Sequence, residues 1–297
     1  MTRDTLENGI LLLKLELFTN MELNITEDQI QATLKARRSQ RMGAKVTIPA
    51  PTEEKETGEI RHILHQTIHD LIEMRENIWM VGPAGSGKSK VAEIVAEELE
   101  MPYYAPPIGR ETTNAQLFGY FNAAGNYVRT PIRECVENGG VLHLEEIDFA
   151  SPAVGTALNA LLANEKIGFP DLTIQRHKDC IILASANTFG TGANATYIGS
   201  MGLNAATLDR FIFVDFPYDE RMEKRIAPNK DFCLHVQSIR RKVNKLGLKH
   251  VVSPRATIKG GKMINSGKFT LEQVEKMVIF KGLDKLTVDK INATSDV

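Results

Sequence analysis

Gly82-Pro83-Ala84-Gly85-Ser86-Gly87-Lys88-Ser89 is the stretch whose reading decides the fold. It fits the pattern G-x-x-x-x-G-K-S/T in full, the pattern of a loop that cradles phosphates. The apolar run Ile78-Trp79-Met80-Val81 comes just before it, and Val91, Ala92, Ile94, Val95 and Leu99 follow at positions that let a helix pack. Strand, glycine loop and helix is the context the pattern requires. Glycines let consecutive backbone N–H groups turn toward one point, and the helix adds its positive N-terminal end. Lys88 then reaches the β- and γ-phosphates, and the Ser89 hydroxyl is a hard oxygen ligand for Mg²⁺.

Downstream, Val141-Leu142-His143-Leu144 runs straight into Glu145-Glu146. An apolar strand ending in two acids puts carboxylates at the C-terminal edge of a sheet, where ligands of open α/β sheets bind. Glu145 is assigned to the metal and Glu146 to the attacking water as general base. Cys180-Ile181-Ile182-Leu183-Ala184 and Phe211-Ile212-Phe213-Val214 are two further buried-strand candidates. Strands alternating with helical patterns imply an α/β fold with a parallel sheet covered on both faces. His143, inside such a strand, reads as a core histidine. Asn122–Val128 reads as a hairpin turning at Gly125, and Gly168–Lys178 as a second one, and Tyr127 and Phe169 are candidates for gripping a partner or, more commonly for such aromatics, for packing under their own hairpins. From Pro217 onward the pattern is helical, with a capping-box spacing at Thr270 and Gln273.

Ahead of the strand–loop–helix unit, residues 1 to about 45 look helical, with an apolar set at Ile10–Phe18 dense enough to need cover. A second helix start at Thr26 leads to a basic run, Lys35, Arg37, Arg38, Arg41 and Lys45. Residues 46–58, with Pro49, Pro51 and Glu53-Glu54-Lys55-Glu56, read as a linker. Ile60, Leu64, Ile68 and Leu71 then recur at helical spacing, which places His62, His65 and His69 on the opposite, watery face. No metal site is expected of them.

Composition narrows the function classes. Lys and Arg total 36 against 37 Asp and Glu, a net charge of −1, which argues against wholesale binding of a polyanion. Three cysteines without a C-x-x-C pair suit a reducing compartment better than a zinc cluster or disulfide framework. No apolar run reaches the roughly 18 residues of a membrane span, and the first residues lack a signal-peptide core. The expectation is a cytoplasmic protein with no membrane contact.

Taken together, the phosphate loop and acidic strand resemble those of an AAA+ ATPase. Leu117-Phe118-Gly119-Tyr120, Gly139-Gly140, Ala184-Ser185-Ala186-Asn187-Thr188-Phe189-Gly190 and Leu203–Phe211 are similar to the MoxR-type, dynein-related branch, and within it to the ATPase subunit of aerobic cobaltochelatase. The likeness covers about residues 58 to 260. It implies a five-stranded parallel sheet between helices, a P-loop NTPase fold, with a C-terminal helical lid. On this reading residues 1–57 are an N-terminal extension and linker, 58–216 the nucleotide-binding core and 217–297 the lid. It further implies that Asn187 is the sensor that positions water, that Arg210 enters the neighbouring subunit's site, and that Arg255 of the lid meets the γ-phosphate. The cofactors implied are ATP and Mg²⁺, and the assembly a ring of identical subunits, six being the expected number, acting on a client or adaptor protein. Glu145 departs from the aspartate usual in the family, which makes hydrolysis less secure than binding. A nucleotide-gated scaffold with little turnover is therefore one alternative, and a nucleic-acid-stimulated motor using the basic run is the less favoured other.

Overall fold

The computed structural model describes residues 60–190, 192 and 202–295. The expectations for residues 1–57, the basic run among them, lie outside the described residues. Helix α1 (His65–Glu73) leads into strand β1 (Ile78–Val81) and, past the glycine loop, helix α2 (Lys88–Glu98). Strand β2 (Tyr103–Tyr104), helix α3 (Asn114–Phe118), strands β3 (Tyr120–Phe121) and β4 (Tyr127–Val128) and helix α4 (Pro131–Asn138) follow. Strand β5 (Gly140–Glu145) passes through a short 3-10 turn, Ile147–Phe149, into helix α5 (Pro152–Ala163). Next come strands β6 (Lys166–Gly168), β7 (Thr173–Gln175) and β8 (Cys180–Ala186), helix α6 (Ala205–Leu208) and strand β9 (Ile212–Asp215). The remainder is helical: α7 (Glu220–Ile226), α8 (Lys230–Lys245), α9 (Pro254–Asn265), α10 (Leu271–Val274) continuing as a π turn, and α11 (Lys285–Ala293).

One sheet has the order β2-β5-β8-β1-β9, every pair parallel. Its central strands read as unbroken apolar runs because both faces are covered. Ile78 and Met80 join Ile68 and Ile72 of α1 and Val91, Val95 and Ala96 of α2 in one layer. Trp79 and Val81 face the other way, into a layer with Ile132 and Val136 of α4 and Val154, Leu158 and Leu161 of α5. The four strands expected from apolar runs all form. The fifth, β2, is two half-buried tyrosines paired to Val141 and Leu142, too short to leave a run in the sequence. Both expected hairpins form: β3–β4 turns at Gly125, and β6–β7 begins two residues earlier than the expected Gly168. Tyr127 donates its hydroxyl to the Phe118 carbonyl (2.6 Å), and Phe169 packs against Phe118. Arg133 binds the two hairpins together, lying over both the Tyr127 and Phe169 rings and pairing with Asp171 at 2.8 Å.

The histidine expectation is corrected. His62 and His65 are each only 4% exposed. Helix α1 starts at His65 and its buried side chains are His65, Ile68 and Ile72; of the expected stripe, Ile68 is in the core and Leu64 and Leu71 pack half-buried against it. His62 precedes the helix and stacks on Phe216 at 4.3 Å, and His65 meets Glu98 of α2 at 2.9 Å. Burial holds both imidazoles below their ordinary range, against the pull of Asp219 on His62 and Glu98 on His65. His143 is the expected core histidine. It is fully buried, hydrogen-bonded to the Tyr103 hydroxyl at 2.6 Å and pushed down to about 4, chiefly by burial. Cys135 and Cys180, distant in sequence, bring their sulfurs to 3.2 Å in the core and are unbridged. No helix among the described residues is long and apolar enough to cross a membrane.

The helical part has its own core, built on Phe232, Val236, Ile239 and Val243 of α8 with Val274 and Ile279. Threaded through it is a buried ion pair. Arg240 of α8 donates to both oxygens of Glu223 of α7 at 2.7 Å and to the Val252 carbonyl at 2.7 Å. Thr257 of α9 donates its hydroxyl to the same carboxylate. The Thr270–Gln273 capping box is present at the start of α10.

Candidate functional site

The loop after β1 is pinned from both sides. The Gly82 N–H donates to the Ala186 carbonyl (3.1 Å), and the Phe216 N–H to the Val81 carbonyl (2.6 Å). A Cβ on Gly82 would stand 2.1 Å from the Phe216 carbonyl oxygen, so β9's exit leaves room only for glycine. Gly85 and Gly87 take φ of 82° and 101°, which turn successive N–H groups into the concavity before α2 begins.

A cavity of about 420 Å³ opens over this loop, walled by residues 84–90, Glu145, Glu146, Ser185, Ala186, Asn187 and Arg255. The parallel register explains why these residues meet. Glu145 of β5 pairs with Ser185 of β8, and Val81 of β1 pairs with Ala186, so three strands end together at one edge. Glu146, immediately past the edge, has φ 51° and ψ 36°. That left-handed conformation is costly for a residue with a Cβ, and it turns the chain so that the carboxylate stays at the cavity wall. Arg255 comes from the C-terminal helical part, in the first turn of α9, with its Cγ 3.5 Å from where a Cβ on Gly85 would sit.

The electrostatics are those of an anion site. The Lys88 ammonium donates to the Gly82 carbonyl (2.7 Å) and the Pro83 carbonyl (3.2 Å). Burial pushes it down to about 8, opposed by the Asp148 and Glu146 carboxylates and assisted by Arg255. The Ser86 hydroxyl is buried without a hydrogen-bond partner among the described residues. A buried hydroxyl donor, turned amides and an ammonium held by main-chain carbonyls fit a polyphosphate. The Ser89 hydroxyl and the half-exposed Glu145 carboxylate at the same wall are oxygen donors of the kind Mg²⁺ takes.

Of the residues selected from the sequence, Ala84, Gly85, Ser86, Gly87, Lys88, Ser89, Glu145, Glu146, Asn187 and Arg255 line this one cavity. Gly82 and Pro83 form its base through the carbonyls that hold Lys88. Arg210 is not part of the wall. It is exposed at the end of α6, where it donates to Asn159 (2.9 Å) and to the Ala206 carbonyl. Sequence reasoning missed Tyr218, whose hydroxyl donates to the Ala84 carbonyl (3.0 Å) and whose ring lies 4.5 Å under the Arg240 guanidinium. Asp148 also bears on the site. It is fully buried, and its carboxylate accepts from the Asn187 N–H (3.3 Å) and the Thr188 hydroxyl (3.0 Å). Its place three residues past Glu145 was the one available signal.

A parallel α/β sheet with a glycine-rich loop at its C-terminal edge, two acids beside it and an arginine of α9 over it defines a P-loop nucleotide-binding protein. Within that class, residues 77–211 match the family model for the AAA domain of the dynein-related subfamily. An uncharacterized protein of Bacillus subtilis, YojN, is 29% identical over 154 residues, 49% of this chain and 49% of YojN. An uncharacterized protein of Staphylococcus aureus strain USA300 is 26% identical over 156 residues, 50% of this chain and 58% of that protein. The chain thus matches about half the length of these curated relatives. Among solved structures, a RuvB variant of Thermotoga maritima is 18% identical with a TM-score of 0.46, covering 75% of this chain and 72% of its own. NtrX of Brucella abortus in complex with ADP is 16% identical with a TM-score of 0.43, covering 89% of this chain and 59% of its own.

Proposed function

We propose that the protein hydrolyses ATP to ADP and phosphate and uses the cycle, as a ring of identical subunits, to remodel a partner protein. The observation that carries the reading is the convergence of Lys88, Glu146, Asn187 and Arg255 on the cavity above the phosphate loop. The loop amides, Ser86 and Lys88 would hold the triphosphate. Ser89 and Glu145 would hold Mg²⁺, which supplies positive charge at the β- and γ-phosphoryl oxygens. Glu146 would take a proton from the attacking water, Asn187 would orient that water, and Arg255 would neutralise charge developing on the γ-phosphoryl group. Arg210, exposed and outside its own subunit's cavity, is the residue that would complete a neighbour's site. Arginines of that kind are typically worth 10³ to 10⁵ in kcat. The resemblance to MoxR-type proteins and the cobaltochelatase ATPase supports a protein client over a nucleic acid.

Steady-state phosphate release from MgATP tests the reading. Glu146→Gln is expected to abolish release while retaining nucleotide binding, and to trap the partner in a pull-down. Arg210→Ala subunits are expected to regain turnover when mixed with Glu146→Gln subunits, because each supplies what the other lacks. Phosphate release unaffected by Glu146→Gln would refute hydrolysis at this site. The glutamate standing at position 145 favours a second reading, a nucleotide-gated scaffold. That reading predicts tight MgATP binding with no measurable turnover in the unaltered protein.

A further inference from the structure

Strands β5 and β8 stay in register as far as Glu145 and Ser185, and there the ladder ends. Glu146 and Asn187 lie just beyond, on two separate turns. Those turns are joined by one side chain. Asp148, 0% exposed, sends its carboxylate across to the turn after β8, where the Asn187 N–H donates to it at 3.3 Å and the Thr188 hydroxyl at 3.0 Å. Thr188 is itself fixed from behind. Its hydroxyl accepts from the Gly190 N–H (3.4 Å), and its carbonyl accepts from the Trp79 indole N–H (3.2 Å). The other end of this segment is tied to the phosphate loop through Ala186 and Gly82.

A carboxylate buried this deeply carries a heavy desolvation cost unless it is well partnered. An apolar side chain could fill the same space without that cost. What an apolar side chain could not do is hold the Asn187 backbone at a set distance from the turn that bears Glu146. Asp148 is not in the cavity wall; besides its through-space pull on the Lys88 ammonium, it reaches the chemistry through the residues it holds.

We infer that Asp148 is a positioning residue, whose carboxylate clamps the Asn187–Thr188 turn onto the Glu146 turn and so sets the spacing of amide and base at the hydrolytic site. The inference rests on the hydrolysis reading above and extends it to a residue outside the cavity. A misplacement of about 1 Å at such a site costs on the order of 10²-fold in rate. Asp148→Ala is therefore expected to lower kcat for MgATP about ten- to hundredfold, with KM and the ADP dissociation constant moved less than about threefold. Residues acting as one unit are non-additive, so Asp148→Ala on top of Asn187→Ala is expected to cost less than about a further threefold. Asp148→Asn keeps an acceptor oxygen for both donors and is expected to restore most of the lost kcat.

A purely structural role would give a different pattern: lowered stability, losses additive with Asn187→Ala, and no split between kcat and KM. If Asp148→Ala does not fold, Thr188→Val removes one of the two donors at nearly unchanged shape and is expected to show the same split in milder form. Wild-type kcat in folded Asp148→Ala, or in Thr188→Val where that variant stands in, overturns the inference. Absence of turnover in the unaltered protein overturns the hydrolysis reading and this inference with it. Turnover that Asp148→Ala leaves intact overturns this inference alone.

Discussion

Replacing Arg240 by Met should cost the C-terminal helices much of their stability, and replacing Glu223 as well should give most of it back. Arg240 and Glu223 have side chains only 5% and 1% exposed, with both guanidinium–carboxylate hydrogen bonds at 2.7 Å. Removing the arginine leaves the buried Glu223 carboxylate to the Thr257 hydroxyl and the Gln237 amide. Breaking a buried pair from one side typically costs 3–5 kcal/mol, whereas replacing both partners with apolar residues is often close to neutral. Arg240→Met should therefore lose about 3–5 kcal/mol, and the Arg240→Met, Glu223→Leu double variant about 0–2 kcal/mol. The protein has a single tryptophan, Trp79, fully buried in β1, so its fluorescence follows the sheet while far-UV circular dichroism follows all the helices. In urea, the dichroism transition of Arg240→Met should move to lower denaturant and separate from the fluorescence transition. Because α9 carries both Thr257 and Arg255, the same variant should lose kcat more than nucleotide affinity. A loss below about 1 kcal/mol, or a double variant as unstable as the single one, would show that desolvation of an orphaned carboxylate is not what the pair prevents.

Three further outcomes follow from the phosphate site. Gly82→Ala drives a Cβ into the Phe216 carbonyl, a main-chain atom that cannot swing away. Stability should fall by about 1–3 kcal/mol and MgADP affinity at least about tenfold; unchanged calorimetric binding would refute the packing argument. Glu146→Gly removes the cost of a left-handed backbone and should raise the unfolding free energy by roughly 0.5–1 kcal/mol while lowering kcat by about 10² or more. Equal or lower stability would mean that the turn is unstrained. Lys88, pushed down to about 8 in the unliganded protein, gives two opposite pH dependences. Phosphates bind the ammonium, so ADP affinity should be flat below neutrality and fall as pH rises through about 8. Between about 8 and 10.5 the unfolded chain holds a proton that the folded chain has lost, so unliganded stability should rise over that range. Lys88→Arg, always charged, should flatten the affinity profile, and a slope that survives that change would assign it to another group.

Local signals are enough for the parts of this protein that obey one-dimensional rules. The phosphate loop is legible because backbone turning demands glycines at fixed offsets and charge neutralisation demands one lysine and one hydroxyl. Four strands are legible because a sheet covered on both faces has to be built from unbroken apolar runs. Glu146 stands out as an acid at the end of an apolar strand, Asn187 and Arg255 through family likeness, and tertiary structure alone accounts for their meeting: parallel register ends β1, β5 and β8 at one edge, and the C-terminal helices bring α9 over it. Strand β2 escapes notice because a two-residue edge strand takes its conformation from its neighbour. His62 is misplaced by periodicity because it lies before the helix, and His65 because it flanks the apolar stripe on the side that α2 covers. Asp148 and Tyr218 show the same limit at the site itself. A lone acid or a lone tyrosine carries no pattern in sequence, and its work is defined by partners that are distant along the chain and adjacent only once the sheet has closed.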